Sequence, residues 1–124
     1  MNSPTDLVER YLAAWNERDP RRRRDLIAKT YTEAASYLDP HRSGEGHAQL
    51  ATMIQAVHDR FPAAYQFRLA SDVEAHNDRL RFRWEAGGTT DAPLHFGGTD
   101  FAVVARDGRL ASVTGFTDFA PSQS

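Results

Sequence analysis

The chain has 124 residues, a formal net charge of −2 and no cysteine. That length fits one domain spanning 1–124, long enough to bury a core without staples. The missing cysteine excludes disulfides, thiolate nucleophiles and cysteine-ligated zinc, and the near-balanced charge argues against a nucleic-acid partner.

The first ten residues carry neither a basic n-region nor an apolar h-region, so no secretory signal is expected there. No apolar run approaches the roughly 20 residues that span a bilayer. The expectation is a cytoplasmic chain with no membrane partner, loose only at 1–3 and 121–124.

Leu7, Val8, Tyr11, Leu12 and Trp15 recur on a 3.6-residue period and predict a first helix. Ser3 or Thr5 can cap it, with Pro4 in its first turn. Asp19-Pro20 reads as a cap and first helical position, opening a second helix that runs to about Thr30. Arg21 to Arg24 on that helix read as a solvated face, because four successive arginines fan over several directions rather than forming one stripe. Residues 34–38 predict a short strand ending at Asp39-Pro40, and 41–44 a loop. Gly46 opens a third helix with Leu50, Met53, Ile54, Val57 and Phe61 on its apolar face, stopped by Pro62.

Beyond Pro62 the period changes to two. Tyr65, Phe67 and Leu69 alternate with polar residues, as do Leu80, Phe82 and Trp84 with Arg79, Arg81, Arg83 and Glu85. Such alternation predicts strands with one buried and one wet face. Residues 87–93 read as a hairpin loop, 94–105 as a long strand, Asp107-Gly108 as a turn and 109–119 as a last strand. Gly97-Gly98 marks a bulge in the long strand, which bears on the side Asp100 faces. The order predicts an α+β fold: about three N-terminal helices on a strongly curved, mainly antiparallel sheet, forming a cone-shaped roll with a pocket.

Tyr11-Leu-Ala-Ala-Trp-Asn16, Asp39-Pro40, Gly46 with Leu50, Gly98-Thr-Asp-Phe101 and Asp107-Gly108-Arg-Leu110 together resemble the SnoaL-like branch of the nuclear-transport-factor-two-like superfamily, over about residues 4–119. That superfamily includes ketosteroid isomerases, polyketide cyclases, epoxide hydrolases, dehydratases and non-catalytic binders, so the resemblance implies the fold more than a reaction. Its ketosteroid isomerase members imply a catalytic set: Asp39 as general base, with Tyr11 and a protonated Asp100 as the oxyanion hole.

The residues carry their own arguments. Asp39, at a strand end beside a proline, can face a cavity and take a proton next to a carbonyl, or can cap loop N–H groups. Asp100 is a mid-strand carboxyl in apolar company, which burial pushes toward neutrality unless it is paired. Tyr11 lies on an apolar stripe, so its hydroxyl needs a partner, either a ligand or Asp100. Trp15, His41, Phe61, Phe82, Trp84, His95 and Phe116 are expected to line the pocket. His58 and His76 read as surface residues and His47 as first-turn, and the histidine spacing predicts no metal site. The expected function is cofactor-free proton transfer on a small hydrophobic carbonyl compound, as in an isomerase, cyclase or dehydratase. A non-catalytic binding module of the same fold is the alternative. A homodimer pairing through strand faces that bear Arg79, Arg81 and Arg83 is also expected.

Overall fold

The computed structural model describes residues 3–121. The loose ends expected from the sequence lie largely outside that span, and Ser3, inside it, is a helix cap. Helix α1 (Pro4–Asn16) begins with a capping box: the Asp6 N–H donates to Ser3 Oγ at 3.0 Å, and the Ser3 N–H donates to Asp6 Oδ2 at 3.3 Å. Asp19 caps α2 (Pro20–Thr30), accepting from the Arg22 N–H at 3.0 Å. Helix α3 spans Gly46–Arg60. All three pack an apolar face on one side of a sheet.

That sheet has seven strands: β1 (Tyr31–Leu38), β2 (Ser43–Glu45), β3 (Phe67–Leu69), β4 (Glu74–His76), β5 (Arg79–Gly87), β6 (His95–Val104) and β7 (Leu110–Phe119). Its order is β2-β1-β7-β6-β5-β3, with β4 also on β5. Only β1 and β7 run parallel, so the sheet is mixed; it is curved and does not close into a barrel. The α+β architecture read from the sequence is the one found. Three details differ. The first strand starts at Tyr31 rather than Ala34, and the predicted 41–44 loop ends in a short strand, β2. A further short strand, β4, extends the β5 edge. Both unforeseen strands are three residues long, too short for a period of two to show.

The β5–β6 register is unbroken from Arg79↔Val103 to Gly87↔His95. Trp84, Phe82 and Leu80 therefore share the helix-covered face with Gly98, Asp100 and Ala102. The irregularity at Gly97-Gly98 lies toward β7, whose partners step from Phe119 to Thr117. Asp118 is thus the extra residue, and Asp100 keeps its inward direction.

Two residues read as surface groups are interior ones. Arg23, in the middle of the arginine run, is 2% exposed, while Arg21, Arg22 and Arg24 are exposed. Its guanidinium donates to Glu17 O at 2.9 Å, Arg18 O at 3.2 Å, Gln55 Oε1 at 2.8 Å and His58 Nδ1 at 2.9 Å. His58 is buried too. An arginine can only donate, so His58 Nδ1 accepts and its Nε2 carries the hydrogen, donating to Trp15 O at 2.7 Å. Burial, joined by the neighbouring Arg23 and Arg18 charges, pushes this imidazole below its ordinary pKa. The network clips α2 and α3 to the end of α1.

Replacing Arg23 leaves several buried acceptors unpaired. Arg23→Ala is expected to lower stability by about 2–4 kcal/mol, and Arg22→Ala by less than about 0.5 kcal/mol. Urea denaturation of both variants measures the contrast; equal small losses would contradict it.

Candidate functional site

A small cavity lies between α1 and the sheet, lined by residues that include Tyr11, Trp15, Tyr37, Asp39, Arg42 and Asp100, with Phe67 and Trp84 completing an aromatic wall. Helix α1 presents Tyr11 and Trp15 one turn apart, with Leu12 beside them. β1 brings Tyr37 and, just past its end, Asp39. β5 brings Trp84, and β6 brings Asp100. The rings interlock: Tyr11 meets Phe82 edge-on at 5.6 Å, Trp15 lies 5.3 Å from Tyr37, and Phe67 bridges Trp15 and Trp84 at 5.4 Å to each.

Asp100 is 3% exposed and accepts two hydrogen bonds. The Tyr11 hydroxyl donates to its Oδ2 at 2.6 Å, and Trp84 Nε1 donates to its Oδ1 at 3.1 Å. Burial pushes the carboxyl up and the Asp39 charge adds to that, while the two donors oppose; the balance is a pKa of about 6. Tyr11 is raised well above its ordinary value, first by burial and then by the Asp100 charge, so it remains a donor. Burial and both carboxylates raise Tyr37 likewise.

Asp39 sits differently. Its Oδ1 accepts from the His41 N–H at 2.7 Å and the Arg42 N–H at 2.8 Å, closing a tight turn. Its Oδ2 accepts from the Tyr37 hydroxyl at 2.6 Å and lies 3.6 Å from the Arg42 guanidinium. Asp39 is thus both of the things its sequence context allowed: a loop cap and a cavity wall.

Two glycines make the juxtaposition possible. Gly98 faces Trp84 across the ladder, and a Cβ there would stand 2.6 Å from the indole ring and 2.5 Å from Phe116 O. The indole crosses that vacant space to reach Asp100. Gly115 pairs with Asp100 across β6–β7, and a Cβ there would stand 2.8 Å from Asp100 Oδ1 and 3.3 Å from both Asp39 Cβ and the Tyr37 hydroxyl. The gap it leaves is where the two carboxylates approach.

Of the residues singled out from the sequence, the structure brings Tyr11, Asp39, Asp100, Trp15 and Trp84 to this one cavity. The other expected lining residues stand elsewhere. His41 is exposed and contributes only its backbone N–H. Phe61 stacks on Tyr65 at 4.2 Å in a satellite cluster, because the stop at Pro62 turns it away from the cavity. Phe82 is buried behind Tyr11. His95 and Phe116 are on the opposite face of the sheet: His95 Nε2 pairs with Glu85 Oε1 at 2.7 Å, and Phe116 is 58% exposed. Tyr37, Arg42 and Gly115 were not anticipated. Tyr37 is two residues before Asp39 on the alternation of β1, a signal that could have found it. Gly115 has none, since its meaning depends on which strand lies beside it.

Among the described residues, four interior polar atoms make no hydrogen bond: Arg10 Nε, Trp15 Nε1 and the Thr30 and Tyr31 hydroxyls. Trp15 belongs to the cavity wall. The cavity measures about 30 Å³, room for about one water.

A family model for the SnoaL-like domain matches residues 8–113. A solved structure of a candidate isomerase of the SnoaL-like family from Agrobacterium tumefaciens is 37% identical, covers 96% of this chain and 100% of its own, and superposes with a TM-score of 0.86. A candidate SnoaL-like polyketide cyclase from a Jannaschia species shares the fold at 19% identity, with 93% and 85% of the two chains covered and a TM-score of 0.74. So does a Catenulispora acidiphila protein with a ketosteroid isomerase-like fold, solved with trimethylamine, at 15% identity, 89% and 83% coverage and a TM-score of 0.69. No curated protein matches the sequence.

A carboxyl raised to about 6 keeps its proton in the folded chain at pH values where the unfolded chain has lost it. The native state then binds more protons, so this group's contribution to stability falls as pH rises from about 4 to about 6 and is level above. The loss is on the order of 3 kcal/mol at about 1.4 kcal/mol per pKa unit. Asp100→Asn is expected to lack that decline, as read from the difference between variant and parent urea curves across pH 4–7. Parallel curves would contradict the assignment.

Proposed function

The chain belongs to the SnoaL-like family, and we propose that it moves a proton on a small, largely apolar carbonyl compound through an enolate, without a cofactor. The observation that carries this reading is the place of Asp100: a buried carboxyl on the wall of an aromatic cavity beside a second carboxylate, where burial pushes its pKa up to about 6. Such a group is charged at neutral pH yet near enough to its midpoint to exchange a proton in both directions. The names of the similar proteins fit the same reaction class. Isomerisation and aldol-type cyclisation both begin by removing a proton next to a carbonyl.

In this reading the two aspartates exchange the roles expected of them, and their hydrogen bonds support the exchange. Asp39 spends Oδ1 on two backbone N–H groups and Oδ2 on Tyr37, with Arg42 alongside. Asp100 has one donor on each oxygen and a second lone pair free on each. Asp100 is therefore the base in this proposal, and Asp39 is the neighbouring carboxyl whose charge helps hold the Asp100 pKa up. When Asp100 takes the α-proton it becomes a weaker acceptor, which releases the Tyr11 hydroxyl toward the enolate oxygen.

A cavity of about 30 Å³ holds about one water, so a ketone enters only when side chains move, and Arg42, whose side chain is one-third exposed, is the wall residue that can yield. The second reading is a binding module without turnover, in which the same opened cavity only holds the ligand. Self-association belongs with the proposal: Leu38, Phe101 and Phe116 are exposed on the outer face of the sheet, near Arg81 and Arg83.

Conversion of cyclopent-3-enone to its conjugated isomer, followed by ultraviolet absorbance, tests the proposal. Asp100→Asn is expected to lower the rate by about 10²–10⁴-fold, and Tyr11→Phe by about 10²-fold. The rate of the parent protein should rise with pH through a midpoint near 6. Saturable binding of the ketone without turnover would overturn the proton-transfer reading in favour of the binding module.

A further inference from the structure

A second, larger recess lies farther along the same strands. It encloses about 820 Å³ between the first half of α1, Lys29 near the end of α2, the turn between β4 and β5, and the turn between β6 and β7. It shares no lining residue with the Asp100 cavity.

Its charge is unlike that of the chain as a whole. The chain carries a formal −2, yet five cations, Arg10, Lys29, Arg79, Arg106 and Arg109, line this recess against the single acid Asp107. Two of the five are committed: Arg79 to Asp78, and Arg109 to Asp107 and Glu33. Arg10, Lys29 and Arg106 have no acidic partner among the described residues. Three unspent cations around one recess repel one another, an arrangement that a bound anion relieves.

Arg10 adds a sharper observation. Its Nε is buried and has no hydrogen-bond partner among the described residues. A buried donor left unmade costs free energy, and each such group in a native fold calls for a partner. An oxyanion in the recess becomes such a partner once the Arg10 side chain turns its Nε–H outward, and an arginine with neighbouring cations suits a phosphate better than a single carboxylate. The lining is not wholly polar: Pro4, Ala75 and Val104, each at least partly exposed, also contribute to it. Inorganic phosphate alone would leave most of 820 Å³ and this apolar surface unused, since sites of this size hold drug-sized molecules.

We infer that this recess is a binding site for a small organic phosphate, its phosphate held by Arg10, Lys29 and Arg106 and its apolar body lying on Pro4, Ala75 and Val104. The inference is independent of the proton-transfer reading, because both indoles, Trp15 and Trp84, belong to the other cavity and report on it separately.

Nitrogen-15 NMR of the whole chain tests it, with phenyl phosphate, adenosine 5′-monophosphate and inorganic phosphate as probes. Saturable shifts of the Arg10 and Arg106 Nε–H resonances are expected with at least one organic phosphate, while the two indole N–H resonances stay in place. Inorganic phosphate should bind at least tenfold more weakly. Arg106→Gln, at an exposed turn, should weaken the organic phosphate about tenfold, and Arg10→Gln by as much or more, while Asp100→Asn leaves it unchanged. If Arg10→Gln fails to fold, Arg106→Gln and Lys29→Gln carry the test. No saturable shift with either organic phosphate at millimolar concentration, equal affinity for inorganic phosphate, or binding unaffected by Arg106→Gln would each overturn the inference.

Discussion

The hydrogen bond from the Tyr11 hydroxyl to Asp100, 2.6 Å long and buried, joins the first helix to the sixth strand and fixes where the cavity lies. A carboxyl in that position must be satisfied by neighbours, since water cannot reach it freely. Much of the surrounding structure serves this requirement. Trp84 supplies the second donor, and it can do so only because Gly98 leaves room for the indole to cross the ladder. Gly115 leaves the space in which Asp39 comes near, and the Asp39 charge then helps to hold Asp100 close to its proton. One residue on a helix, one or two on each of three strands and one just past the end of a fourth are thus chosen together.

The two aspartates show how like groups acquire unlike properties. Asp39 lies at the end of β1, where a turn directs two backbone N–H groups at one oxygen and Tyr37 and Arg42 attend the other. Asp100 lies inside the sheet and receives one donor per oxygen. Desolvation dominates at Asp100, so its pKa moves toward the range useful for proton exchange. This difference arises from secondary structure, a turn against a strand interior, rather than from residue type.

What could be read from the sequence was what periodicity encodes. The stripe on α1 put Tyr11 inside and the alternation along β5 put Trp84 on the buried face, while Asp100 was placed by the resemblance and by its apolar company. Asp39-Pro40 marked the end of β1. What could not be read was whatever depends on the neighbour across the sheet. Gly115 is an ordinary strand residue until β6 places Asp100 opposite it. Phe116 and His95 were assigned to the pocket by residue type, although the alternation that turns Asp100 inward turns His95 outward. Arg23 and His58 were missed for a related reason. Each would be costly to bury alone, and each is buried because the other, with Gln55 and three backbone carbonyls, completes its hydrogen bonds.

The account rests on Asp100 being a carboxyl displaced from its ordinary range by burial and by Asp39. Carbon-13 NMR of the Asp100 carboxyl, followed through a pH titration of the intact chain, measures this directly. The account predicts a midpoint near 6, moving down in Asp39→Asn as the neighbouring charge is removed. A midpoint in the ordinary aspartate range of about 4, unmoved by Asp39→Asn, would contradict it.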